Sequence, residues 1–97
     1  MEALLKQGKA LVAAGDTREA IRLLTPARRA EGSDFRGERR DELLTLLGNA
    51  YRKEDNWEEA IGCYLEAMEL NPHSPAAVHY RIAMDILEFR NKDLFNQ

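Results

Sequence analysis

A single cysteine, Cys63, among 97 residues excludes an internal disulfide. The two histidines, His73 and His79, are too few and wrongly placed for a zinc site without further ligands. The six glycines form no phosphate-cradling loop. No apolar run approaches a membrane span, because short stretches such as 11–14 are bounded by charge. The opening Met1-Glu2-Ala3-Leu4-Leu5-Lys6 lacks a basic segment followed by an apolar one, so no secretory leader and a cytoplasmic location are expected. Positive charge is also in short supply. Fourteen Lys and Arg against 17 Asp and Glu leave a net charge of −3, which argues against nucleic acid and anionic membrane surfaces as partners.

What remains is an ordinary globular composition, 44% hydrophobic and 32% charged, sized for one domain with one core. Within it lies a repeat. Shifting the chain by 40 residues aligns Leu4 with Leu44, Gly8 with Gly48, Leu11 with Tyr51 and Asp16 with Asn56. The same shift aligns Glu19 with Glu59, Ala20 with Ala60, Ile21 with Ile61, Leu24 with Tyr64 and Ala27 with Ala67.

Each unit reads as two helices. Leu43, Leu44, Leu47, Ala50 and Tyr51 recur at three- and four-residue spacing, one helical face. Asp55-Asn56 interrupts them, and Asn56 with Glu59 predicts a capping box that opens a second helix carrying Trp57, Ala60, Ile61, Tyr64, Leu65 and Met68. Asn71-Pro72 ends it, since proline lacks a donor and keeps its predecessor out of helical geometry. The first unit follows the same plan, with a helix over about 2–14, Gly15 as its C-terminal cap, and a second helix from Asp16 and Glu19. Pro26 falls well inside that helix and predicts a kink, or an early end with a second start. Ser74 and Pro75 start a fifth helix by the N-cap and first-position rules, running to about Arg90 or Asn91.

The second unit, Leu44-x-x-Leu47-Gly48-x-x-Tyr51 followed by Ala60-x-x-x-Tyr64-x-x-Ala67 and Pro72, resembles a tetratricopeptide repeat at all eight signature positions, with Leu44 where tryptophan is most familiar. Small residues at Gly48 and Ala60 let two helices approach, while Tyr51 and Tyr64 fill the volume around the crossing. The first unit matches at Leu4, Gly8, Leu11, Ala20, Leu24 and Ala27 and departs at Gln7 and Gly32. After Ser74, Arg81, Ile82 and Asp85 stand where a third repeat would need leucine, glycine and tyrosine, so this stretch resembles a lone capping helix. The resemblance implies an all-α fold, antiparallel helical hairpins stacked as a short right-handed α-solenoid. It divides the chain into a repeat at 1–32, an inserted loop or helix extension at 33–40, a second repeat at 41–73, a capping helix at 74–91 and a tail at 92–97.

The resemblance also implies a non-catalytic scaffold, without cofactor, that holds a peptide or protein partner in a concave groove lined by the first helix of each repeat. Carried over position by position, the groove would present Leu5, Lys9 and Val12, then Thr45, Asn49, Arg52 and Lys53, with His79, Ala83 and Ile86 added by the capping helix. Asn49 corresponds to an asparagine with which related arrays bond a peptide backbone, an amide offering both donor and acceptor. Arg52 on the same face and Lys9 from the neighbouring helix could together receive a carboxylate. The alternative is that all three are simply solvated. The chaperone-type carboxylate clamp is not expected, because Leu5, Lys9, Ala76 and Tyr80 occupy its places.

Other features read as structural. Arg28, Arg29, Arg36, Arg39 and Arg40 are interleaved with acids and read as solvated loop and helix-end charges, while Phe35 either pins that loop or meets a partner. Cys63 reads as packed rather than nucleophilic, and the Glu58–Glu59 and Glu66–Glu69 pairs as outward or helix-start charges. The fifth helix is richer in apolar residues than a cap requires. Val78, Ile82, Ile86 and Phe89 are expected to cover the preceding helix, leaving Tyr80, Met84 and Leu87, with Leu94 and Phe95 beyond, for the alternative function of a self-association module that pairs two copies.

Overall fold

The computed structural model describes the backbone of residues 2–29 and 39–95, and the side chains of all of these except 91–95. The inserted segment as far as 38, with Phe35 and Arg36, and the side chains of Leu94 and Phe95 lie outside the described residues. Five helices follow one another, α1 (Glu2–Ala13), α2 (Thr17–Arg29), α3 (Arg40–Lys53), α4 (Trp57–Leu70) and α5 (Ala76–Phe95), and no strand occurs among the described residues. α5 thus runs past Arg90, where the sequence pattern ended it.

The 40-residue repeat returns as identical turn geometry. α1 ends with Gly15 in the left-handed region at φ 82°, the Gly15 N–H donating to the Val12 carbonyl and the Asp16 N–H to Leu11. α3 ends the same way with Asp55 at φ 63°, Asp55 donating to Arg52 and Asn56 to Tyr51. An L-residue in that region costs about 1–2 kcal/mol, which aspartate tolerates through local bonding. Here its carboxylate accepts from the Trp57 indole N–H at 2.6 Å.

Asn56 caps α4 by accepting from the Glu59 N–H at 3.4 Å. The reciprocal half of the box is not made. The Asn56 N–H is already used by Tyr51, and the Glu59 carboxylate holds Arg28 at 3.0 Å instead. Pro26 does not end α2, which continues to Arg29. Just before it the Thr25 hydroxyl donates to the Ile21 carbonyl, and beyond it the Arg40 guanidinium donates to the Ala27 and Arg28 carbonyls at 3.2 and 2.6 Å. A side chain at the start of α3 therefore satisfies orphan carbonyls at the end of α2.

α3 packs against all four other helices. Its Leu43 and Leu47 join Leu5, Leu24 and Cys63 in one cluster, while Leu44 joins Ala60, Tyr64, Ala67, Ala76 and Ala83 in another. Each fully buried leucine stabilises by about 1.5–3 kcal/mol relative to exposure. The closest approach is at Gly48, where an added Cβ would lie 2.5 Å from Cε1 of Tyr64. Gly8 repeats this against Leu24, the residue that the 40-residue shift matches to Tyr64, and also meets Leu46 of α3. By contrast, a Cβ on Gly62 in the middle of α4 would meet only the Arg28 guanidinium, at an ordinary 3.6 Å.

The same substitution should therefore have opposite signs at two helical glycines. Gly62→Ala is expected to stabilise by about 0.4–1 kcal/mol through reduced unfolded-state freedom and better helix propensity. Gly48→Ala is expected to destabilise by about 1–3 kcal/mol, because a rigid ring must move. Thermal melts of both variants check this, and a shift in the same direction for both would contradict it.

Candidate functional site

The faces of α1, α3 and α5 lie side by side, since α3 packs on both of the others. Between α1, α3 and the α4–α5 turn is a depression of about 480 Å³, lined by Lys9, Glu42, Leu46, Asn49, Asn71 and Pro75 among others. Its floor is held by a buried polar network. The Asn71 amide donates to the Asp41 carboxylate at 3.2 Å, and the Thr45 hydroxyl donates to the Asp41 carbonyl at 2.7 Å. Ser74 accepts from the Ala76 N–H at 3.1 Å, the N-cap of α5, and its hydroxyl lies 3.4 Å from that of Thr45.

At the centre of this face is Asn49. Its side-chain oxygen accepts the Tyr64 hydroxyl at 2.6 Å, which satisfies a polar group that burial would otherwise penalise. Burial pushes the Tyr64 hydroxyl up to about 12, against an opposing effect of Arg52, so it remains a donor at neutral pH. That bond leaves the Asn49 amide N–H groups for another acceptor. On its far side the Tyr64 ring stacks on His79, with centroids 5.9 Å apart and planes inclined by 20°. His79 is half-buried, its Nδ1 has no hydrogen-bond partner among the described residues, and Arg52 bears on it. Arg52, half-buried, and Lys9, exposed, make no ion pair among the described residues. The depression holds two acids, Asp41, which accepts from the Asn71 amide, and Glu42, which is held by Arg39 at 3.1 Å.

Of the residues expected in the groove, Thr45 lines the depression at its floor, whereas several others are elsewhere. Leu5 and Val12 are buried with Gly8 on the inner face of α1. Gly8 can meet Leu24 only by turning its neighbours three before and four after inward as well. Thr45 is buried because the α4–α5 turn covers it, and Ala83 is buried because α5 lies close on α4 through its small residues. Lys53 is exposed, and its ammonium donates to the Val12 carbonyl at 3.3 Å, tying α3 to the end of α1. Lys9, Asn49, Arg52 and His79 remain on the open face, and Ile86 lies exposed along α5.

The expected face of α5 is corrected too. Tyr80 packs into the cluster around Tyr64 and Leu87 is half-buried, so of the first three self-association residues only Met84 is exposed. Val78, Ile82 and Phe89 face solvent, at 61, 42 and 70% exposure, where the sequence pattern placed them against α4. The alanines at 76 and 83 and the flat Tyr80 ring permit a closer approach than β-branched side chains would. Tyr64 joins the site from outside the groove positions that the family signature implies, because a buried tyrosine hydroxyl needs a partner and Asn49 is a suitable one.

The arginines read as solvated are in part cross-links. Arg28 bridges Glu59 and Glu66 at 3.0 and 2.9 Å, and Arg39 reaches Glu2 as well as Glu42. Burial pushes the Cys63 thiol up to about 12, so it packs in the core as a neutral group. Among the described residues no three His, Cys, Asp or Glu side chains come together as a metal site would need, and no helix is long and apolar enough to cross a membrane.

Burial first, and Arg52 second, hold His79 below the ordinary histidine value of 6.5. The native state then binds fewer protons than the unfolded chain, so stability rises with pH there. This contribution is whole above 6.5 and is lost as pH falls from 6.5 to the lowered native value. Melting temperature should therefore drop on acidification through this window, and drop less in His79→Phe, which preserves the stack on Tyr64. Equal pH slopes in the two proteins would contradict the assignment.

Comparison with known proteins agrees with this architecture. A profile described as tetratricopeptide repeat matches residues 42–74, and a second of the same description matches residues 2–25. The chain is similar to Bacteroides fragilis protein BF1650, known from a solution NMR structure, at 42% identity and a TM-score of 0.76, over 96% of this chain and 89% of that one. No curated protein matches. Such repeats generally mediate protein–protein interactions and are typically non-catalytic. With both hairpins matched over more than half its length, the chain belongs to the tetratricopeptide repeat family.

Proposed function

We propose that this protein is a non-catalytic adaptor whose α1–α3–α5 face receives an extended, acidic segment of a partner polypeptide. The observation that carries this reading is the fixed amide of Asn49. With its oxygen engaged by Tyr64, the side chain is held in one orientation and offers N–H donors to a backbone carbonyl without requiring any particular partner sequence. Lys9 lines the same depression, and Arg52 lies three residues beyond Asn49 along α3, outside that lining. A half-buried guanidinium gains most from an arriving carboxylate, because it has already lost part of its hydration. A lone buried thiol suits the reducing cytoplasm.

Asn49→Asp is the informative variant, since it still accepts the Tyr64 hydroxyl but loses the donors. Titration of labelled protein with short acidic peptides should shift the amide resonances of Lys9, Asn49, Arg52 and His79. Asn49→Asp and Arg52→Gln should each weaken the complex by about 1–3 kcal/mol, roughly five- to 150-fold, with little change in melting temperature. Raising the salt should weaken it further. Peptide-induced shifts confined to other faces, or affinities unchanged in both variants, would remove the groove reading.

A further inference from the structure

Val78, Ile82, Ile86 and Phe89 form an exposed apolar stripe about 17 Å long on α5, while the opposite face of that helix is already occupied by α4. Contiguous apolar area of this kind marks an interface. The charges beside the stripe indicate what covers it. Ile82 and Phe89 are seven residues apart, as are Val78 and Asp85, so the four fall alternately at the two seam positions of a coiled-coil heptad. Arg81 and Glu88 then share a single flanking position one heptad apart, one of each sign. Both are exposed, and neither makes an ion pair among the described residues.

We infer that α5 pairs antiparallel with α5 of a second copy of this chain about a two-fold axis. In that register Val78 packs against Phe89 of the second copy, small against large. Arg81 faces Glu88 of the second copy, and symmetry makes this ion pair twice. Parallel pairing would set Asp85 against its own mate and leave Arg81 and Glu88 without opposite charges across the seam. Antiparallel pairing places each Asp85 beside Ile82. A seam of three turns is short, so association belongs to the weak, small-area class. It does not involve Asn49 or Arg52, so it stands or falls separately from the groove reading.

Sedimentation equilibrium of the full chain, from about 10 μM to 1 mM, should show a mass rising from monomer toward dimer. Ile82→Glu should abolish the rise. Arg81→Glu and Glu88→Arg should each raise the dissociation constant by about fivefold or more, since two attractions become two repulsions. The double variant Arg81→Glu/Glu88→Arg should restore it to within about twofold of the original. All three positions are exposed, and circular dichroism verifies that the variants stay folded. A monomer throughout the range, a dimer indifferent to these substitutions, or failure of the double swap to rescue would each overturn the inference.

Discussion

The contact between Gly48 and the Tyr64 ring governs the rest of this molecule. Because position 48 has no side chain, α3 and α4 close until the ring fills the space a Cβ would occupy. The ring is then fixed at both its other surfaces. Its hydroxyl reaches Asn49 and its face supports His79. One tyrosine thus joins core packing on α4 to the orientation of polar groups on α3 and α5. The first hairpin uses the same geometry with Gly8 and Leu24, which has no hydroxyl to engage a polar group as Tyr64 engages Asn49.

Polar ties hold the two hairpins in register where they meet. Arg40 caps the end of α2, Lys53 reaches the end of α1, and the Thr17 hydroxyl and Arg18 both hold the Glu54 carboxylate. These bonds keep Glu54 below its usual carboxylate range, the Thr17 hydroxyl contributing more than Arg18. Exposed pairs of this sort are individually worth little, so leucine burial supplies the stability and the ties define the relative placement. At the other end, Arg90 sits 5.1 Å above the Trp57 ring and 3.4 Å from Asp55, joining α5 to the α3–α4 turn.

Local chemistry is what the sequence makes legible. The five helices follow from periodicity and turn residues, the stop at Asn71-Pro72 from backbone geometry, and the close approach at Gly48 from the family signature. The legible part of the site is likewise local: Asn49 and Arg52 share a face of one helix. What could not be read depends on neighbours distant in the chain. Thr45 is buried by a turn that begins 26 residues later in the chain, at Asn71. Leu5 and Val12 turn inward because Gly8 does. On α5, hydrophobicity favours Val78 and Ile82 for the interior, whereas the available space favours alanines 76 and 83.

The two faces of the array consequently have different chemistry. The α1–α3–α5 face offers fixed polar groups, whereas the outer stripe of α5 is apolar. Both depend on the α3–α4 crossing being as close as Gly48 allows. Nuclear Overhauser contacts between the Gly48 α-protons and the Tyr64 ring protons report on that crossing directly. The account predicts strong contacts, with the Gly48 α-protons displaced by the ring current of Tyr64. Their absence, with Gly48 α-protons at ordinary helical shifts, would contradict it.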